Sequence, residues 1–268
     1  MKKTILLSLS LLLATASFAQ LFSKEDIKIT RDFDVQDFKG ISIGLATDLT
    51  IEKADKCSLT IEVNEEYIDY INIKYSSDGV MSIEYDKLPF ALKNSKKSHM
   101  KAIVRMPFIN SMDITGATTV TCNYAFTTEG GMHKFNLSCS GASSISKFDI
   151  SAVEAVVSVS GASKVNLGGT FGELDADVSG ASGLTLRGEA GELEIKGSGA
   201  SSIAAEDMEA EDVEVELSGA SGADVFATKR LKVEAKSASS CTYTTAGQIQ
   251  LEVEKISGAS SLKHKERQ

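Results

Sequence analysis

The sequence predicts an all-β chain wound into a single-stranded parallel β-helix, a β-solenoid of about 19–20 residues per rung, with a β-rich N-terminal part. Three observations predict it. A short motif recurs, as TGATTV at Gly116, SGASSI at Gly141, SGASKV at Gly161, SGASGL at Gly180, SGASSI at Gly199, SGASGA at Gly219, KSASSC with Ser237 in the glycine place, and SGASSL at Gly258. The spacings are 25, 20, 19, 19, 20, 18 and 21 residues, and a fixed period of this length is the mark of stacked repeats. Around each copy apolar and polar residues alternate with a period of two, which is the strand period. The composition agrees: 21 glycines, two prolines and no tryptophan suit many short strands joined by tight turns.

Taken from the N-terminus, MKKTILLSLSLLLATASFAQ has a basic start at Lys2 and Lys3, an apolar run from Ile5 to Ala14, and small residues Ser17 and Ala19. That is the pattern of a secretory signal peptide over residues 1–19, cleaved after Ala19. As an uncleaved anchor the run is short against the roughly 20 residues a bilayer demands. No cysteine follows the expected cleavage point to carry a lipid. Residues 20–106 hold GISIG, LTIEKA, SLTIEVN, YINIKY and MSIEY, all alternating, with SSDGV as a hairpin-like turn. KLPFALKNSKKSH reads as a cationic loop. This part is expected to cap or begin the solenoid without the strict repeat.

Residues 107–268 are the repeat. Four residues after the motif glycine stand Val120, Ile145, Val165, Leu184, Ile203, Ala223, Cys241 and Leu262, and two before it Ile114, Cys139, Val159, Val178, Gly197, Leu217, Ala235 and Ile256. Even offsets therefore face a core, and odd offsets face solvent. Each unit reads as a strand, the Ser-Gly-Ala-Ser corner, a second short strand and a turn such as RGEAG or LGGTFG. Gly180 and Ser182 share the phase of Val178 and Leu184 and are expected to face inward, with Ser179 outward. In the last copy Leu251 and Val253 are in phase but Ile256 is one residue late, so a β-bulge is expected at Glu254 or Lys255. The cationic tail KHKERQ follows, where charge protects an open strand edge.

A formal charge of −9 becomes −11 once Lys2 and Lys3 are removed, and so acidic a chain repels nucleic acid and anionic lipid. No later stretch is apolar and long enough to span a membrane, so an exported protein of the periplasm or cell surface is expected. Of Cys57, Cys122, Cys139 and Cys241, the last reads as a core residue. Cys122 with Cys139 is the one pair near enough in sequence for a local disulfide.

FKGISIG, LTIEKADKCSLTIEVN, GVMSIEYDK and VRMPFINSMDITGATTV, followed by the Gly-Ala-Ser repeats, resemble the DUF2807 family, described as auto-transporter adhesins with a head GIN domain. The resemblance covers nearly all of the expected mature chain. It implies a right-handed β-helix with a surface or adhesive role, found in exported proteins of Bacteroidetes-like bacteria, and it supplies no catalytic residues. The sequence ends at SSLKHKERQ with no translocator-barrel pattern, so the auto-transporter part of the description is not expected to apply.

Ser182 lies in GASGL, which lacks the spacing of a nucleophile elbow, and His99, His133 and His264 have no repeating acid partner. The turns lack the aspartate of calcium-binding nonapeptide rolls. Asp175, Glu194 and Glu214 fall five residues before the glycine on consecutive rungs, joined by Asp177 and Glu216. This outward acidic face is the candidate binding surface. Lys196 and Lys232 interrupt it, and a solvated face is the preferred reading over a divalent-ion site. The column from Ser146 through Thr185 to Lys263 is too irregular for an ice lattice. A glycan-cleaving site needs paired carboxylates in an aromatic-lined groove, which the repeat does not offer. The expected function is that of a non-enzymatic adhesin-like or envelope solenoid without cofactor. It would bind a host or envelope protein or a glycan, with self-association through the solenoid ends. The alternative is a carbohydrate-active enzyme with a site in the N-terminal half, the loop from Lys87 to Met100 contributing.

Overall fold

The computed structural model describes residues 27–93, 96–131 and 133–266; the expected leader lies outside them. The N-terminal part contains β1 (Lys28–Phe33), β2 (Gly40–Ile43), β3 (Thr47–Lys53), β4 (Ser58–Asn64), β5 (Ile71–Tyr75), β6 (Val80–Tyr85) and β7 (Met100–Met106). Then come β8 (Ser111–Ile114), β9 (Thr119–Cys122), β10 (Ala125–Thr127) and β11 (Phe135–Cys139). Five long strands form the centre: β12 (Ser144–Val159), β13 (Lys164–Val178), β14 (Gly183–Gly197), β15 (Ser202–Leu217) and β16 (Gly222–Ala235). The chain closes with β17 (Ser240–Thr245), β18 (Gln250–Ile256) and β19 (Ser261–His264).

From β8 onward every strand pairs in parallel with its counterpart one coil away, so the expected β-solenoid is the fold. Equivalent residues stack. Ala176, Ile195, Val215 and Val233 form one inward column, and Leu174, Leu193, Val213 and Leu231 another, all at most 3% exposed. A single coil cannot cover its own apolar side, so burial arises only between coils.

The turn segments behave differently from the expectation of separate turns. LGGTFG and RGEAG lie inside β13 and β14, and Gly168 to Phe171 stay in register with Arg187 to Ala190. Adjacent coils bend at the same place, so their ladder continues around the bend. Gly169 (φ +148°) supplies the bend, and a Cβ there would sit 1.7 Å from the Ile150 carbonyl oxygen.

The Ser-Gly-Ala-Ser corner corrects a second expectation. Ser182 is buried at 3%, as its phase requires, but Gly180 is exposed rather than inward. Its φ is +74°, and a left-handed residue interrupts the pleat, so the alternation lapses at Gly180 and resumes with Ser182. The backbone amides climb the stack here: Ala181 N–H donates to the Gly161 carbonyl at 2.8 Å and Ala200 N–H to that of Gly180 at 2.7 Å.

The inward hydroxyls close the corners. Ser221 donates to the Ser218 carbonyl at 2.8 Å, Ser239 to that of Lys236 at 2.9 Å, and Thr118 to that of Thr115 at 3.0 Å. The Ser182 and Ser201 hydroxyls have no partner. Ser221→Ala is therefore expected to cost about 1 kcal/mol, the net value of a buried hydrogen bond, whereas Ser182→Ala should be near neutral. Paired chemical-denaturation curves check this.

The expected bulge is present. Val233 pairs with Val253 but Glu234 pairs with Lys255, which leaves Glu254 as the extra residue.

In the N-terminal part, residues 40–53 form a regular rung that the glycine spacing does not reveal. β2 pairs with β8, and β3 with β9, both parallel. Leu45 takes the glycine place, and Thr47, fully buried, takes the place of the inward serine. A further coil, β6 with β7, then stacks on the outer side of β2 and β3. The chain thus lays down its second coil before its first. Beyond these, β5 pairs antiparallel with β6, β4 with β7 and β1 with β4. Tyr67, Ile68 and Phe38 are buried under this cap at no more than 2% exposure.

All four cysteines are free thiols, so the local Cys122–Cys139 disulfide does not form. Cys122 stacks on Ile51 and Cys139 on Ile114, so the two occupy different sides of the coil. A separation of 17 residues is short of a full rung and cannot return the chain to the same side. Burial pushes Cys241 up to about 12 and Cys139 up to about 11. Unfolded thiols ionise near about 8.5. Between those values the unfolded state holds fewer protons than the fold, so stability should fall as pH rises from about 9 toward 12. A pH series of denaturation midpoints measures it.

Candidate functional site

One outward side of the coil runs the length of the solenoid, and its columns are set by the offset from the corner. Three residues before the corner glycine stand Asp113, Ser138, Ser158, Asp177, Lys196, Glu216 and Glu234, stacked in that order. Ser42 and Ser82 continue the column toward the N-terminal end. Five before it, Val156, Asp175, Glu194, Glu214 and Lys232 are in register, and the bulge brings Glu252, six before Gly258, onto the same column. The structure thus brings Asp175, Asp177, Glu194, Glu214 and Glu216 onto one face.

The face changes character along the axis. Near the N-terminal end it is a shallow depression of about 560 Å³ lined by Ser42, Ser82, Asp113, Asn136, Ser138 and Ser158, among others. Ser42 donates to the Asp113 carboxylate at 3.2 Å. Farther along it becomes acidic, in two adjoining depressions of about 280 and 300 Å³. Stacked coils lie about 4.8 Å apart, so like charges in one column repel. The Glu173 carboxyl is raised above its ordinary value by the neighbouring Asp175 carboxylate, then by slight desolvation and by Glu154 and Glu192.

Cations relieve the rest. Lys196 pairs with Glu194, Lys232 bridges Glu214 at 2.8 Å and Glu254 at 3.1 Å, and Arg230 meets Asp212 at 3.2 Å. The Lys236 ammonium holds Glu234 below its ordinary value. Among the described residues no three His, Cys, Asp or Glu side chains are placed to ligate a metal ion.

Sequence reasoning missed the hydroxyl-lined half and the column of Glu173, Glu192, Asp212 and Arg230. Ser138 and Ser158 were readable, because they share the offset of Asp177. Ser42 and Ser82 were not, because their rungs lack the motif.

Two other candidates resolve differently. The motif serines point into the core, which withdraws their hydroxyls from solvent. The segment between β6 and β7 contains a one-turn helix, Phe90–Lys93, and a short 3-10 turn, Lys96–Ser98, where a loop was expected. It is pinned onto the solenoid end: Tyr67 Oη donates to the Leu92 carbonyl and Tyr85 Oη to that of Ser98, both at 3.0 Å. Leu88 and Leu92 pack on the core. His99 Nε2 lies 2.9 Å from Asp48 Oδ2 on an exposed edge. This segment forms part of the cap.

A family model described as "Putative auto-transporter adhesin, head GIN domain" matches residues 37–247. Among solved structures, a "putative adhesin" from Parabacteroides distasonis is similar with a TM-score of 0.73 at 17% identity, covering 89% of this chain and 98% of that one. One from Parabacteroides merdae gives 0.70 at 17% identity, covering 90% and 97%. One from Bacteroides fragilis gives 0.64 at 20% identity, covering 90% and 98%. No curated protein matches the chain. At these identities the structures establish the fold alone. No helix among the described residues is long and apolar enough to cross a membrane.

Proposed function

Since the chain belongs to the DUF2807 family of head GIN domains, we propose that it is an exported, non-enzymatic solenoid of the periplasm or cell surface. It presents one long face to a host or envelope protein or to a glycan. The single observation that carries this reading is the continuous outward column from Ser82 to Glu234, hydroxyl-rich at one end and acidic at the other. An extended ligand lying along the axis meets a hydrogen-bonding group at every coil. Repeat folds bind through such extended surfaces rather than through one deep pocket. The leader-like N-terminus supports export, and the adhesin descriptions of the structural neighbours support a binding role.

The test is capture on a glycan array and on a panel of immobilised envelope and matrix proteins, with two variants. Ser158→Arg with Asp177→Arg should reduce capture at least about tenfold, as rupture of a central polar contact does. Thr185→Arg, on another side of the coil, should leave it unchanged. A glycoside hydrolase and lyase panel run beside it should show no turnover. Turnover there, with no capture on the arrays, would favour an enzyme.

A further inference from the structure

The two ends of the solenoid are not alike. At the N-terminal end Tyr67, Ile68 and Phe38 lie under the antiparallel cap and are buried. At the C-terminal end Leu251, Val253 and Ile256 occupy inward positions on β18 and are 42, 46 and 38% exposed. Their ladder partners one coil back, Leu231, Val233 and Ala235, are fully buried. Among the described residues β18 pairs only with β16, and β19 only with β17, so the terminal coil presents both an apolar surface and free strand edges.

We propose that this end is the interface of a two-fold dimer, in which β18 of one copy pairs antiparallel with β19 of a second copy. The two strands flank the same corner, at Gly258, and they differ in charge. β18 carries Glu252 in the outward column of Glu214 and Lys232, whereas β19 carries Lys263 outward and is followed by Lys265. A two-fold axis through the corner lays each β18 on the other copy's β19 with reversed direction. At matched distances from the corner, and with Glu254 absorbed as the bulge, Val253 meets Leu262 of the second copy and Glu252 meets Lys263. The contact is made twice, as an isologous interface requires. Pairing β18 with β18 about Val253 instead sets Glu252 against Glu254.

The opposing reading is that the bulge and the basic tail keep this edge monomeric. Sedimentation velocity of the purified protein, from about 1 to about 100 μM, separates the two because dimerisation follows mass action. The expected result is a concentration-dependent dimer. Glu252→Lys and Lys263→Glu should each weaken it at least about tenfold, and the two together in one chain should restore it to within about threefold. Val253→Lys, at an already exposed position, should give a folded monomer by circular dichroism. A monomer at every concentration, growth into longer assemblies, a dimer indifferent to the single swaps, or a double swap that restores nothing would each overturn the proposal. None of these outcomes depends on what the long face binds.

Discussion

Gly180→Val is expected to lower the unfolding free energy by about 3 kcal/mol or more. Two costs add. At φ +74° an L side chain is strained by about 1–2 kcal/mol, more when it is β-branched. The new Cβ would also lie 2.6 Å from the Gly161 carbonyl oxygen, closer than contact distance, and the atom it meets is backbone held in the ladder. Gly161 and Gly199 above and below repeat the geometry at φ +76° and +72°, so neither neighbour can move aside. The chain contains its own control, because Ser237 occupies the same place at φ +69°. Ser237→Gly should stabilise by about 0.5–1 kcal/mol through relief of that strain. Equilibrium denaturation of the two variants tests both signs. Since coils are coupled to their neighbours, hydrogen exchange in Gly180→Val should quicken first in the coils adjoining residue 180.

Phe148→Ala is expected to cost about 3–5 kcal/mol. Phe148 stacks between Phe126 and Phe135, with ring centroids 6.0 and 5.8 Å away, and all three are no more than 1% exposed. Along the ladder Phe148 is followed by Leu167 and Leu186, so the three rings form one aromatic cluster in an otherwise aliphatic column. Alanine leaves a cavity that two rigid ladders cannot close. Phe148→Leu, which keeps much of the volume, should cost no more than about 1.5 kcal/mol. Thermal and urea unfolding of the pair separates lost volume from lost fold.

These expectations rest on positions whose role was partly legible beforehand. The inward phase of Val178, Leu184 and Ser182 follows from the two-residue period alone, and the slip at Glu254 follows from Ile256 arriving one residue late. The acidic stack of Asp175, Glu194 and Glu214 was readable for the same reason: a constant period places equal offsets above one another. The orientation of Gly180 was not readable, because parity holds only while the backbone stays pleated. Cys122 and Cys139 looked close along the chain, yet the coil carries them to different sides.

What the sequence alone determines is the rung: its length, its buried side, its corner and its one irregularity. All of these are local patterns, repeated until chance cannot account for them. Tertiary structure alone decides the N-terminal end. Residues 40–53 alternate like any strand pair, and nothing in their pattern says that they lie between residues 80–106 and residues 111–127. A strand's own side chains specify which face is buried, but its hydrogen-bonding edges are the same backbone everywhere. Which neighbour takes each edge depends on how the whole chain packs, and that is why the interleaved coil, the antiparallel cap and the exposed apolar side chains of β18 become visible only in the fold.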